Sequence, residues 1–273
     1  MEFEMKYQFA FIGCGNMGSA LSSGVAKRIN PEKIALCDTS IEKAEALSEK
    51  IGAVSTDVAD AVLNSEYIFI AVKPQGYAAL AEEIKPILKS RGTPPVFISM
   101  AAGTSIEKLT ALLGGSYPII RIMPNTPVAV GAGITLYSQN CLVSEEHIEA
   151  FSSAMTETGL TLPIDEDKFD SETIVTGCGP AYVFAFIDAL TGAAEALGVS
   201  KESAALYAKQ TVLGAARLAV ESDETPKKLC ERVCSPGGST IEGIRLMERR
   251  ELADTVKAAA RASYDRTLEM KKL

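Results

Sequence analysis

Residues 13–18 read GCGNMG and constrain the fold more than any other part of the chain. An apolar run, Tyr7–Ile12, comes before them, and helix-forming residues follow from 19 to 29. In a strand–turn–helix of this GxGxxG form, Gly13 permits the tight turn, Gly15 lets the backbone approach a pyrophosphate, and Gly18 lets the helix pack on the strand. The helix N-terminus offers unpaired N–H groups to the diphosphate. The segment therefore predicts a dinucleotide site.

The type of dinucleotide stays open. A second apolar strand, Ile34–Cys37, ends at Asp38, where an acid would bind a ribose 2′-hydroxyl and repel a 2′-phosphate, which favours NADH. Thr39, Ser40 and Lys43 would together hold a phosphate if Asp38 turned away. We therefore expect NADPH or NADH as cofactor.

The bulk properties narrow the classes of partner. A net charge of −8 over 273 residues argues against nucleic acid and membrane surfaces. We expect no membrane span, because no apolar run approaches the roughly 20 residues that one needs. The six cysteines are scattered without metal-site spacing, which predicts no metal, reduced thiols and a cytoplasmic protein.

Strand-like and helix-like segments alternate in the first part of the chain. Apolar runs at 67–72, 96–100 and 119–123 predict buried strands, with further strands at 133–136 and 160–164 and helices at 41–51, 76–89 and 106–113. This alternation predicts an α/β fold, a Rossmann-type, mostly parallel, doubly wound sheet over residues 1–165. Only helices are expected in residues 166–273, a second, all-α domain.

The helix expected at 178–197 indicates an oligomer. It is apolar almost all round and has Pro180 in its first turn, followed by helices from Ser200, Pro226, Thr240 and Leu252. A helix of this kind must be buried on nearly all sides, and the remaining helices are too few to cover it. We expect a homodimer that shares this core.

Polar residues follow the predicted strands and begin two predicted helices. Lys73 and Asn125 come directly after buried strands, where an open α/β sheet binds its ligand, and Ala101 follows another. Residues 235–240, SPGGST, open a helix and form a good carboxylate cradle. Each assignment has an alternative. Lys73 could be a solvated loop lysine, Asn125 a turn-forming residue, and residues 235–240 a plain loop with an N-cap.

The residues available for acid chemistry exclude several mechanisms. The one histidine, His147, lies in a charged segment that predicts an exposed helix start, so no Ser-His-Asp triad and no histidine acid can be built. Carbonyl reduction needs a well-placed acid. A cyclic imine depends less on such an acid, because its nitrogen can arrive protonated. A hydroxyl such as that of Thr240 would then suffice to orient or relay the proton.

Six segments together resemble the pyrroline-5-carboxylate reductase family along nearly the whole chain. They are GCGNMG at 13–18, AVKPQ at 71–75, SMAAG at 99–103, RIMPNTP at 121–127, GCGPAY at 177–182 and SPGGSTI at 235–241. The resemblance implies a Rossmann domain and an interlocking helical dimerisation domain, with dimers sometimes assembled into decamers. It also implies hydride transfer from NAD(P)H to the imine carbon of 1-pyrroline-5-carboxylate, giving L-proline.

The same resemblance assigns roles to residues. It implies that Gly13, Gly15, Asn16 and Met17 hold the pyrophosphate, that Ala71, Lys73 and Ala101 lie along the cofactor, and that Asn125 is near the nicotinamide. It implies that Ser235, Gly238, Ser239 and Thr240 hold the substrate carboxylate, with the Thr240 hydroxyl near the ring nitrogen and substrate and nicotinamide meeting between subunits.

Three positions depart from the family pattern, and other functions stay open. Cys178 stands where relatives often have serine, Arg232 where they often have a small amide, and Val58 near a position that is often asparagine. These changes affect the expected substrate contacts and cofactor preference. The alternatives are a reductase of another cyclic imine or keto acid, and an NAD-sensing module without turnover. The helix after 180 lacks the lysine that hydroxyacid dehydrogenases use as acid.

Overall fold

The computed structural model of the protein describes residues 5–270. Its strands are β1 (Tyr7–Ile12), β2 (Ile34–Cys37), β3 (Val54–Ser55), β4 (Ser65–Ile70), β5 (Val96–Ser99), β6 (Ile119–Pro124), β7 (Gly133–Gln139) and β8 (Gly159–Pro163). Its α-helices are α1 (Asn16–Val25), α2 (Ile41–Ile51), α3 (Val58–Asn64), α4 (Tyr77–Ser90), α5 (Ile106–Leu113), α6 (Glu145–Met155), α7 (Phe169–Thr173), α8 (Gly179–Ala196), α9 (Lys201–Glu221), α10 (Pro226–Val233), α11 (Ser239–Arg249) and α12 (Leu252–Met270).

The strands form one sheet in the order β3-β2-β1-β4-β5-β6-β7-β8. All neighbouring pairs are parallel except β6–β7, which is antiparallel. The strand order reverses between β1 and β4. The chain therefore leaves β1 toward one side of the sheet and β4 toward the other, which opens a crevice at the carboxyl ends of these two strands. The predicted α/β fold with a doubly wound sheet is confirmed.

The sheet is buried on both faces, as the continuous apolar strands predicted. On one face, the rings of Phe11 and Phe69 stack with centroids 4.3 Å apart, and Phe9 stacks on Tyr67 at 4.9 Å. On the other face, alternate residues of the same strands pack with α3, α4 and α5, for example Ile68 with the group that contains Ile84 and Leu109. This two-sided core fixes the strand ends that line the crevice.

The chain divides into two compact units. One contains the chain up to Gly177 and its last residues from Arg266, and the other contains Cys178–Asp265. Within the described residues, no strand occurs after β8, so the second unit is entirely helical. The domain boundary between residues 165 and 166 stays a prediction.

Several element bounds differ from those predicted. The helices α2 and α5 begin and end as expected, whereas β4 lies at Ser65–Ile70 and β7 extends to Gln139. The short β3 and the helix α3 were not predicted, whereas α6 begins at the helix start that was expected around His147. His147 is half-buried rather than a plain surface residue, because its Nδ1 accepts the Ser144 N–H in a capping box.

The helix α8 is not buried within the chain. Phe184 is 61% exposed, and Val183 and Phe186 are also exposed although they lie on different sides of the helix. By length and composition, Glu166–Ala196 could cross a membrane, and only 11% of its most apolar window is buried. The expectation that no apolar segment has this length is wrong. Such a helix needs a cover from outside the chain, and the predicted cover is a second copy.

Phe184→Glu is expected to convert the oligomer to monomers. An unpaired carboxylate in an apolar contact loses its hydration without gaining a partner, which costs several kcal/mol. Size-exclusion chromatography with light scattering measures the change in mass. Ala59→Glu, which adds the same charge at an exposed position of α3, is the control. An oligomer that survives Phe184→Glu with unchanged mass contradicts a shared α8 core.

Candidate active site

The three glycines of residues 13–18 have different surroundings. Gly13 has φ +111°, and a Cβ there would lie 2.7 Å from the Ala71 carbonyl oxygen. A Cβ on Gly18 would lie 2.0 Å from the Gly13 carbonyl oxygen. A Cβ on Gly15 would meet nothing within 4 Å. Gly13 and Gly18 are therefore required by the packing of the chain itself, whereas Gly15 borders open space that a ligand can fill.

The N-terminus of α1 faces that open space. Its N-cap is Gly15, no described side chain caps it, and its first turn contains no acidic residue. The first N–H groups of an α-helix have no acceptor within the helix and carry the positive end of its dipole. The start of α1 therefore fits a pyrophosphate, which brings the negative charge and acceptor oxygens that these groups lack.

A cavity of about 530 Å³ lies at the carboxyl ends of the strands next to this helix start. It is lined by Gly15, Asn16, Met17, Ala71, Val72, Lys73, Met100, Met123 and Pro124. Five of these were assigned to the cofactor from the sequence. Val72, Met100, Met123 and Pro124 were not assigned, although their positions at strand ends indicated them. Their apolar side chains suit the face of a flat ring.

Two other cavities of the same unit contain none of the predicted residues. One of about 630 Å³ includes Tyr7, Arg91 and His147, and one of about 680 Å³ includes Tyr137 and Glu145. The Arg91 guanidinium already donates to backbone carbonyls at three positions. Both cavities border the start of α6, but that start is capped by Ser144 and has Glu145 and Glu146 in its first turn, so it does not suit an anion. We therefore place the dinucleotide in the smaller cavity.

Asp38 joins the end of β2 to the glycine loop. Its Oδ2 accepts the Cys14 N–H at 2.7 Å, and its Oδ1 accepts the Ser40 N–H at 3.0 Å. Partial burial alone would raise the pKa of Asp38, but the hydrogen bonds from Ser40 and Cys14 outweigh it and lower the pKa. The carboxylate is thus ionised and held in place. Its contact with a ribose hydroxyl stays a prediction.

The residues after Asp38 direct their hydroxyls to carboxylates. Thr39 Oγ1 lies 3.4 Å from Asp38 Oδ1, and Ser40 Oγ donates to Glu42 Oε2 at 2.7 Å. A 2′-phosphate at this place would approach two negative groups. The preference for a ribose hydroxyl over a phosphate at this place stays a prediction.

Cys14, the residue between Gly13 and Gly15, is not a nucleophile. Burial, and then the charge of Asp38, raise the pKa of its thiol to about 11. Its Sγ points to the Cys37 carbonyl oxygen at 3.6 Å. A protonated, buried thiol of this kind fills space beneath the loop.

Ala101 and Asn125 are buried at the edge of the crevice. Ala101 is 2% exposed, directly after the cavity residue Met100. The side-chain Oδ1 of Asn125 accepts the Ile134 N–H at 2.9 Å, and its Nδ2 donates to the Thr176 carbonyl oxygen at 3.0 Å. Both ends of this amide are thus engaged by backbone. Contact of Ala101 and Asn125 with a cofactor stays a prediction.

In the second unit, residues 235–240 form a tight turn that opens α11. The Gly238 N–H donates to the Ser235 carbonyl oxygen at 3.0 Å, and Gly237 has φ +71°. Gly238 is the N-cap, and no described side chain caps the helix. Ser239 and Thr240 begin the helix and are exposed. The turn brings the four predicted substrate residues, Ser235, Gly238, Ser239 and Thr240, around one helix N-terminus.

Arg232 is engaged near this turn. Its Nη1 lies 2.6 Å from Glu224 Oε2, in an exposed ion pair. Arg232, where relatives often have a small amide, therefore adds a cation to this region, and that cation already has a carboxylate partner. Cys178, the second departure, comes immediately before α8 and is half-buried.

Comparison with known proteins agrees with this two-part description. A family model for NADP oxidoreductase, coenzyme F420-dependent, matches residues 8–103, and one for pyrroline-5-carboxylate reductase dimerisation matches residues 166–270. Over 245 residues the chain is 37% identical to a pyrroline-5-carboxylate reductase of Aquifex aeolicus, with 90% of each chain covered.

Solved structures show the same likeness. A pyrroline-5-carboxylate reductase from Coxiella burnetii is 36% identical and has a TM-score of 0.88, covering 97% of this chain and 98% of that one. The Plasmodium falciparum pyrroline carboxylate reductase, solved with NADP bound, is 30% identical with a TM-score of 0.86, covering 98% and 99%.

The sheet, the glycine loop and the helical dimerisation domain define an NAD(P)H-dependent oxidoreductase that acts on CH–NH groups. Identity over nearly the whole chain narrows this class further. The chain belongs to the pyrroline-5-carboxylate reductase family.

Gly15→Ala and Gly18→Ala are expected to separate cofactor binding from folding. Gly15→Ala costs at most about 1 kcal/mol of stability, as alanine at an N-cap does. It weakens NAD(P)H binding at least about tenfold, because charged hydrogen bonds of ~1.5–3 kcal/mol are disturbed. Gly18→Ala lowers the free energy of unfolding by about 3 kcal/mol through overpacking. Urea unfolding and fluorescence titration measure the two effects. Equal cofactor affinity in Gly15→Ala and wild type contradicts the assignment.

Proposed function

We propose how these residues carry out the reaction of the family, hydride transfer from NAD(P)H to the imine carbon of 1-pyrroline-5-carboxylate, which gives L-proline. The observation that carries the proposal is the position of two helix N-termini with glycine N-caps and no cap from a described side chain: that of α1 borders the cavity, and that of α11 follows the turn at residues 235–238. Each presents N–H groups and a positive dipole end to an anion. For this reaction the protein must bind two anionic groups, the pyrophosphate of the cofactor and the carboxylate of the substrate.

The cofactor lies in the cavity of the first unit in this proposal. Gly13, Gly15, Asn16 and Met17 hold its pyrophosphate, with Gly15 leaving the space for close approach. Ala71, Lys73 and Ala101 lie along it, and the backbone at Asn125 lies at its nicotinamide end. When bound, the cofactor supplies the hydride. The exposed Lys73 ammonium at the cavity rim adds positive charge to a protein of net charge −8.

The substrate carboxylate binds at the start of α11. Ser235, Gly238 and Ser239 supply hydroxyl and N–H donors, and Thr240 places its hydroxyl near the ring nitrogen. Thr240 orients the iminium and relays its proton, which is sufficient because a protonated imine is already an electrophile. The sole histidine is used elsewhere, since His147 caps α6 and lies with its edge toward the Tyr67 ring.

The direct test is the oxidation of NADH and of NADPH by the purified protein in the presence of 1-pyrroline-5-carboxylate, with proline measured as product. Turnover with stoichiometric proline supports the proposal. Cofactor binding without turnover points to another imine or to a sensor. Turnover of a keto acid in preference to the imine contradicts it.

Thr240→Ala is expected to lower kcat/KM about 100-fold, the usual effect of losing a positioned proton-transfer group. Cofactor affinity stays unchanged, because Thr240 lies on the substrate side. Thr240→Ser keeps the hydroxyl and serves as the control, with activity largely retained. Steady-state kinetics and cofactor titration measure both quantities. A loss of cofactor binding in parallel with the loss of turnover contradicts this role for Thr240.

Asp38→Ser is expected to raise the ratio of NADPH to NADH specificity at least about tenfold, or ~1.4 kcal/mol. The substitution removes the charge that a 2′-phosphate would approach. Asp38→Asn is the matched variant, because its amide oxygen can still accept the Cys14 N–H while the charge is lost. Comparison of kcat/KM for both cofactors gives the ratio. An unchanged ratio in both variants shows that Asp38 does not face the ribose.

The assembly, the location and the domain boundary complete the proposal. The dimerisation domain supports a homodimer. Assembly of dimers into a decamer is the further form that the family resemblance implies. Six free cysteines agree with a cytoplasmic location. A boundary at residues 165 and 166 is supported by the start of the dimerisation match at residue 166.

A further inference from the structure

The helical path that leads from β8 to α8 changes its winding. A 3-10 turn, Glu166–Lys168, is followed by α7 and then by a π-turn, Ile174–Cys178. Single π-turns are rare and occur frequently at functional sites. This one contains Thr176 and then Gly177 and Cys178, the first two residues of the GCGPAY motif, to which the proposed function assigns no role.

One side of β6 holds this segment. Side chains alternate along a strand, so Arg121, Met123 and Asn125 lie in one row. Arg121 is 2% exposed and contacts Glu166 at 3.1 Å, with its guanidinium carbon 3.9 Å from the Phe169 ring centroid. Met123 lines the cofactor cavity. The two polar residues thus anchor the segment on either side of a cavity residue.

The anchor at Asn125 is the one that contacts the π-turn. Its Nδ2 donates to the Thr176 carbonyl oxygen, and its Oδ1 accepts the Ile134 N–H of β7. Asn125 is 8% exposed, and both of its hydrogen bonds are partly buried. A π-turn departs from the regular hydrogen-bond pattern of the helix, and an outside donor to one of its carbonyls stabilises that departure.

We propose that Asn125 is a positioning residue, which acts through the Thr176 carbonyl to hold the π-turn Ile174–Cys178 beside the end of the cofactor cavity. The inference rests on the proposed function for its kinetic consequence. The Asn125 side chain orders the protein around the nicotinamide end and does not itself bind the cofactor. Its loss therefore affects the chemical step more than cofactor affinity.

The test compares Asn125→Ala with Asn125→Asp. Alanine removes both hydrogen bonds, whereas aspartate keeps an oxygen for the Ile134 N–H and loses the donor to Thr176. We expect kcat to fall at least about tenfold in both variants, because the substrate and the cofactor would no longer be held in a geometry close to that of the reaction. The Kd of NAD(P)H for Asn125→Ala stays within about threefold of wild type, which corresponds to less than the ~1.4 kcal/mol of a tenfold change. Thermal unfolding is expected to shift less for aspartate.

Hydrogen–deuterium exchange provides a readout independent of turnover. In both variants the amides of residues 174–178 are expected to exchange at least about tenfold faster, because local opening there becomes easier. Unchanged exchange overturns the proposal. So does a Kd that rises in step with the loss of kcat/KM in Asn125→Ala, which indicates direct cofactor contact, or full kcat in Asn125→Asp. Absence of turnover in the wild-type protein contradicts only the proposed function, because hydrogen–deuterium exchange still tests whether Asn125 holds the π-turn.

Discussion

At Gly13 and Gly18 the backbone lies too close to other backbone for any side chain, and the arrangement of the cofactor cavity depends on that approach. Neither Gly13 nor Gly18 has space for a Cβ, because the Ala71 and Gly13 carbonyl oxygens occupy it. The end of β1, the start of α1 and the end of β4 therefore converge at one point. This convergence places the N–H groups of α1 beside Lys73, and Asp38 ties the end of β2 to the same loop.

Local donors, rather than a basic surface, suit this acidic protein to anionic ligands. The α1 and α11 N-termini both begin after glycine-containing turns with Gly15 and Gly238 as N-caps, and no described side chain caps either. Glycine at an N-cap leaves the first N–H groups free, where serine or aspartate would occupy one of them. In the proposed function, this arrangement binds a pyrophosphate in one unit and a carboxylate in the other. Specificity then depends on neighbours such as Asp38 and Thr240.

The sequence was sufficient to predict the sheet, the glycine loop and the helical second part, because apolar runs and glycine spacing are local signals. It did not predict β3, which has two residues, or α3, whose seven include Asp60 and Asn64. The roles of Arg121 and Asn125 depend on partners 45 and 51 residues away, and no local pattern indicates such contacts. The π-turn was not predicted, since the helix was expected to begin at residue 178 and the winding before it depends on tertiary contacts.

A crystal structure of the protein with NADP⁺ or NAD⁺ and L-proline tests the central claim most directly. The account predicts pyrophosphate oxygens within hydrogen-bond distance, about 3 Å, of the N–H groups at the start of α1. It also predicts the proline carboxylate at the N-terminus of α11, with the Thr240 hydroxyl next to the ring nitrogen. A carboxylate bound away from residues 235–240, or a pyrophosphate that does not contact the Gly15 turn, would contradict it.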